Sequence, residues 1–74
     1  MTEQVKLNQR QDQALQLIEK LKGYMVTNNK TQHNISVEMD LQMATLNRWL
    51  RGKSLPSRAW CEVIETFLKD RGVE

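Results

Sequence analysis

The chain has 74 residues, 39% of them hydrophobic and 27% charged, with three glycines, one proline and a single cysteine. This is the composition of one small globular domain, and it excludes a disordered tail, a fibrous repeat and a disulfide framework. A domain of this size buries only about 60% of the surface its unfolded chain exposes, which leaves no room for both a core and a deep substrate pocket. Residues 1–8 leave their conformation open, as either a short extra turn or irregular chain. From residue 9 to 26, Ala14, Leu17, Ile18, Leu21 and Met25 recur at spacings of three and four, and Gln13, Gln16, Glu19, Lys20 and Lys22 fall opposite them. That pattern predicts an amphipathic helix. Asn28 and Asn29 end it, because asparagine tolerates the left-handed conformation of a helix stop. Thr31 then offers a hydroxyl to cap a second short helix, from residue 32 to about 39, with Ile35 and Met39 facing inward. Asp40-Leu41-Gln42 reads as a turn, with Leu41 returning to the core. A third helix, from residue 43 to about 51, brings Leu46, Trp49 and Leu50 together, and Gly52 stops it. Lys53-Ser54-Leu55-Pro56 is a loop and Ser57 caps the last helix, whose apolar stripe is Trp60, Val63, Ile64, Phe67 and Leu68. Residues 72–74 form a tail. No stretch alternates with period two, so the expected fold is all-α, a bundle of four to five helices over residues 9–71.

The net charge of +2 conceals an uneven distribution. After Asp40 no carboxylate occurs until Glu62, and between them lie Arg48, Arg51, Lys53 and Arg58. Such a segment is either a solvated loop or a positive surface offered to a polyanion. No apolar run approaches the roughly 20 residues of a membrane span, and the polar N-terminal sequence has no signal-peptide core. The expectation is a reducing, cytoplasmic setting without membrane attachment. With one cysteine and one histidine, no metal set is present in the sequence, and no cofactor or small-molecule ligand is expected.

A short helix, a three-residue turn and a second helix of similar length is the layout of a helix-turn-helix reader. Ile35, Leu41 and Leu46 supply the apolar residues that would lock the two helices at a fixed angle. Ala44, Thr45, Asn47 and Arg48 are small or polar, as needed at outward positions of a helix entering a groove about 12 Å wide. The stretch Thr31-Gln32 … Ile35 … Leu41 … Thr45-Leu46-Asn47-Arg48-Trp49-Leu50-Arg51-Gly52-Lys53 … Pro56-Ser57 resembles the lambda-repressor-like (Cro and XRE type) helix-turn-helix domain. The motif runs without a gap from residue 31 to 52. It departs from the family pattern at Ser36, where alanine is usual, and at Asp40, where glycine is usual.

The resemblance implies a role for each matching residue. Gln32 would bond a phosphate and brace the reading helix. Gln42, Met43 and Ala44 would meet base edges at the start of that helix, and Thr45 would touch a phosphate or a thymine methyl. Asn47 and Arg48 lie one turn further on, where the Arg48 fork can pair with guanine. Arg51 and Lys53 would hold the backbone. The implied function is sequence-specific binding of double-stranded DNA by a small bacterial or phage transcriptional regulator, a repressor in the simplest case. The family usually binds paired half-sites as homodimers, and a chain of this kind would associate with the nucleoid when bound.

The same residues admit other readings. The fold could serve a protein-interaction module, or be the DNA-binding part of a larger regulator or transposition protein. The acid-free segment from Leu41 to Cys61 speaks for DNA rather than for a purely protein partner. An enzyme is not expected, since no paired carboxylates, activated nucleophile or phosphate-cradling glycine loop is present. Trp49 and Trp60 have core spacing rather than that of stacking platforms. Met43 is expected on the surface, His33 as exposed polar residue, and Cys61 as a packed thiol.

Overall fold

A computed structural model describes residues 2–73, with side chains from Gln11 onward. The elements are α1 (Thr2–Thr27), α2 (Gln32–Met39), α3 (Met43–Leu50) and α4 (Arg58–Asp70), and no strand occurs among the described residues. α1 begins at Thr2 rather than near Gln9, because nothing between them breaks a helix. Its 26 residues, at about 1.5 Å each, account for the 41 Å long axis of the molecule. Met1 and Glu74 lie outside the described residues.

All four helices close in the same way. One or two residues past each helix the chain takes a left-handed conformation: Asn29 (φ 54°), Asp40 (φ 53°), Gly52 (φ 75°) and Gly72 (φ 77°). In each case the following amide reaches back to a carbonyl in the last turn: Lys30 to Met25 at 2.8 Å, Leu41 to Ser36 at 2.8 Å, Lys53 to Arg48 at 2.9 Å and Val73 to Leu68 at 2.9 Å. This is the Schellman closure, which satisfies carbonyls that a helix end otherwise leaves open. Glycine holds this geometry at two ends, while Asn29 and Asp40 hold it with a side chain at the other two.

The core joins Leu17, Ile18 and Leu21 of α1 to Ile35 and Met39 of α2, Leu46 and Trp49 of α3, and Ile64, Phe67 and Leu68 of α4. α1 packs chiefly on α4 and also on α3, while α2 packs on α3. Trp49 is buried and meets the half-buried Trp60 edge to face, with ring centroids 5.6 Å apart. Tyr24 meets Phe67 in the same manner at 5.8 Å. Met25, Leu41, Leu50 and Val73 are partly buried around this cluster, so the expected return of Leu41 to the core is found.

One expected core residue is not in the core. Val63 is 44% exposed. The apolar arc of α4 is wider than the face its neighbours cover, and Val63 falls at the uncovered edge. There it lines a shallow groove with Glu38, Met39, Ala59, Glu62 and Phe67.

Candidate nucleic-acid interface

The start of α2 is built by two reciprocal hydrogen bonds. The Asn34 amide donates to Thr31 Oγ1 at 3.1 Å, and the Thr31 amide donates to Asn34 Oδ1 at 3.0 Å. This capping box uses an asparagine where glutamate or glutamine is more usual. It holds Gln32 at the first position of α2. Ser36, buried at 6% exposure, donates its hydroxyl to the His33 carbonyl at 2.8 Å. The hydroxyl is therefore satisfied, and a serine serves at this helix crossing without an orphaned polar group.

Between α2 and α3 the chain turns through Asp40 and Leu41. Burial of Ile35 and Leu46, both fully inaccessible, fixes α3 against α2. A polar link adds to this: Asn47 Nδ2 donates to Gln32 Oε1 at 3.1 Å across the two helices. Both side chains are half-buried. The bond uses one acceptor position of Gln32 Oε1 and one Asn47 hydrogen, so both Gln32 Nε2 hydrogens stay available to a further partner. Asn47 and Thr45 are half-buried, less exposed than an outward position implies.

The other face of α3 meets solvent. Ala44, Arg48 and Arg51 are exposed at spacings of four and three, forming one outward stripe. Met43, at the first position of α3, is 46% exposed, as expected from the sequence, and Gln42 before it is exposed and makes no side-chain cap. The first turn of this stripe is small or apolar, and the last turn is cationic.

The loop after α3 is anchored at both ends. The Lys53 amide bonds the Arg48 carbonyl at 2.9 Å just past Gly52. Pro56 is buried, its carbonyl accepts the Cys61 thiol at 3.7 Å, and Ser57 Oγ caps α4 by accepting from the Trp60 amide at 3.3 Å. Arg51, Lys53 and Arg58 are exposed along this anchored segment.

Charge pairing separates the cations into two groups. The ion pairs among the described residues are Lys22–Glu19, Lys30–Glu38, Lys69–Glu65 and Arg71–Glu38. None involves Arg48, Arg51, Lys53 or Arg58. Glu38 is held at 3.2 Å by Lys30 and at 3.0 Å by Arg71, whose guanidinium also lies 3.6 Å over the Phe67 ring. Partial burial would raise the Glu38 pKa, but hydrogen bonds from Arg71 and Lys30, with their charges, outweigh it and hold the carboxyl below its ordinary value.

The structure places Gln32 at the start of α2, Gln42 in the turn, Met43, Ala44, Thr45, Asn47 and Arg48 on α3, and Arg51 and Lys53 after it; Gln32, Thr45 and Asn47 are half-buried and the other six exposed. Arg58, at the first position of α4, adds an exposed cation to the same segment. Its signal was the gap in carboxylates. The Gln32–Asn47 bond joins residues 15 apart and has no signature in the sequence until the crossing of the helices is known. Comparison with protein-family models, with curated proteins and with solved structures gives no match.

Proposed function

We propose that this chain is a sequence-specific binder of double-stranded DNA, a small transcriptional regulator of the lambda-repressor-like helix-turn-helix type, and in the simplest case a repressor. The observation that carries this reading is the outward stripe of Ala44 and Arg48 on α3 and Arg51 at its C-cap. It is exposed, it has no ion-pair partner among the described residues, and the surrounding segment holds no carboxylate. An α-helix with side chains is about 10–12 Å across and the major groove about 12 Å wide, so the small Ala44 at the leading turn suits entry. Arg48, one turn on, has the fork to read guanine O6 and N7. Arg51, Lys53 and Arg58 supply affinity through phosphates. Gln32 would donate its Nε2 hydrogens to a phosphate, its oxygen being already engaged by Asn47.

Paired half-sites bound by a homodimer are part of this proposal. A second reading, a protein-interaction module, is favoured by the exposed Val63 in its groove beside Glu62. Selection of bound duplexes from a random pool tests the choice. The DNA reading expects recovery of a palindromic consensus, and a pool that remains random after repeated rounds would refute it.

A further inference from the structure

The outward face of α3 is divided along its length, and the division has a chemical meaning if the proposed DNA reading, on which this inference rests, is right. Its second half carries Arg48 and Arg51. Its first turn carries Met43, 46% exposed, and Ala44, also exposed, with no charge on either. Thr45 beside them is half-buried, and the only amide of α3 itself, Asn47, donates to Gln32 at 3.1 Å. Gln42, exposed and making no side-chain cap, is the amide best placed to pair with adenine. What the first turn does offer is a thioether methyl and a Cβ, both polarizable or apolar, at the end of the helix that leads into the groove.

We propose that Met43 and Ala44 read the 5-methyl group of a pyrimidine in the major groove, that of thymine in unmodified DNA. In that groove the thymine methyl is the one apolar feature of a base edge, and small or flexible apolar side chains are its natural partners. The unpaired cations that follow on the same stripe would bring the apolar turn against a polyanion, where an exposed methionine otherwise has no apolar surface to cover it. Methylated cytosine carries the same methyl at the same place, so the two sources must be told apart by experiment.

The test uses the duplex recovered by selection, titrated with the full chain by fluorescence anisotropy. Each thymine of a half-site is replaced in turn by deoxyuridine, which removes only the methyl. Burial of one methyl predicts a loss of about fourfold in affinity at one or two positions per half-site. In Met43→Ala that loss should shrink at one of these positions. In Met43→Gln the preferred base there should change from thymine towards adenine, the natural partner of a glutamine amide. A parallel series replaces each cytosine by 5-methylcytosine; a gain there without a loss on deoxyuridine assigns the methyl to cytosine instead. Equal affinity across both series, while the unmodified duplex binds tightly, overturns the inference and leaves the DNA reading standing. Absence of tight binding to any selected duplex overturns both.

Discussion

Separate replacement of Arg48 and Lys53 by alanine should give two different phenotypes. Arg48 lies on the stripe with Ala44, one turn into α3, and its side chain is exposed. Its removal should cost about 1–3 kcal/mol on the preferred site, roughly 5- to 150-fold, and relax the choice of base at one position per half-site. Lys53 follows the Gly52 stop, with its amide fixed 2.9 Å from the Arg48 carbonyl, so its ammonium leaves the helix where the chain turns away. Its removal should weaken binding to all sequences alike and make the salt slope shallower by about 0.9 per subunit. Arg48, Arg51, Lys53 and Arg58 together set an upper bound of about 3.6 on that slope per subunit, so a fourfold rise in salt weakens each subunit's binding by up to about 150-fold. Anisotropy titrations over single-base operator variants at two salt concentrations give both quantities. If both variants lost affinity uniformly, Arg48 would be a backbone contact and base reading would pass to Gln42, Met43 and Ala44. Binding indifferent to salt would refute the electrostatic argument altogether.

Leu46→Ala removes a fully buried side chain at the junction of α3 with the core and should lower stability by about 2–5 kcal/mol, read as a shift in denaturant midpoint. An unchanged midpoint would show that Leu46 is not a packing residue. Asp40→Gly relieves a left-handed residue at φ 53° and should raise stability by about 1 kcal/mol or less, since glycine's extra freedom in the unfolded chain offsets part of the gain. A lower melting temperature for that variant would mean that the aspartate side chain itself supports the turn. Glu38→Gln should destabilise at neutral pH, and the difference from the wild type should disappear in acid. The Glu38 pKa is depressed in the fold, so its contribution is present above the ordinary carboxylate pKa and is lost as pH falls through the lower folded value. Melting curves at several pH values check the sign, and a gap between the two proteins that widened in acid would contradict it. Gln32→Ala and Asn47→Ala should be non-additive in DNA affinity, because each removes the same 3.1 Å bond. Simple additivity in a double-mutant cycle would show that the bond does not act in binding.

Local signals in the sequence carried most of the fold. Thr31, Gly52 and Ser57 mark caps because a cap depends on one side chain, or its absence, next to the chain that it closes. The spacing of Leu17, Ile18 and Leu21 marks a buried face because a helix repeats every 3.6 residues. Where the sequence misleads, the deciding quantity is not local. Val63 has the same spacing as Ile64 and Phe67, yet whether it is covered depends on how far α2 extends over α4. The continuation of α1 to Thr2 was left open for another reason: residues 2–8 hold only Val5 and Leu7 as large apolar residues, two apart, so no helical rhythm decides between a turn and irregular chain. For the candidate site, the exposed stripe and the unpaired cations were legible from spacing and from the absence of acids. The engagement of Asn47 was not, because its partner belongs to another helix.

The distribution of charge ties fold and proposed function together. Lys30 and Arg71, from the ends of α1 and α4, converge on Glu38 of α2, so one carboxylate ties three elements. Lys22 and Lys69 pair along their own helices. The cations that pair with carboxylates thus lie outside residues 41–61, and the four inside that stretch have no ion-pair partner among the described residues. Like charges held near one another on a folded surface repel, which works against the fold unless something else compensates. A polyanion supplies that compensation from outside, and it does so most where Arg48 and Arg51 share one face of α3. The same four residues would therefore weaken the isolated protein slightly and strengthen its complex. The +2 balance of the whole chain conceals this division between cations answered by carboxylates within the fold and cations left for a partner.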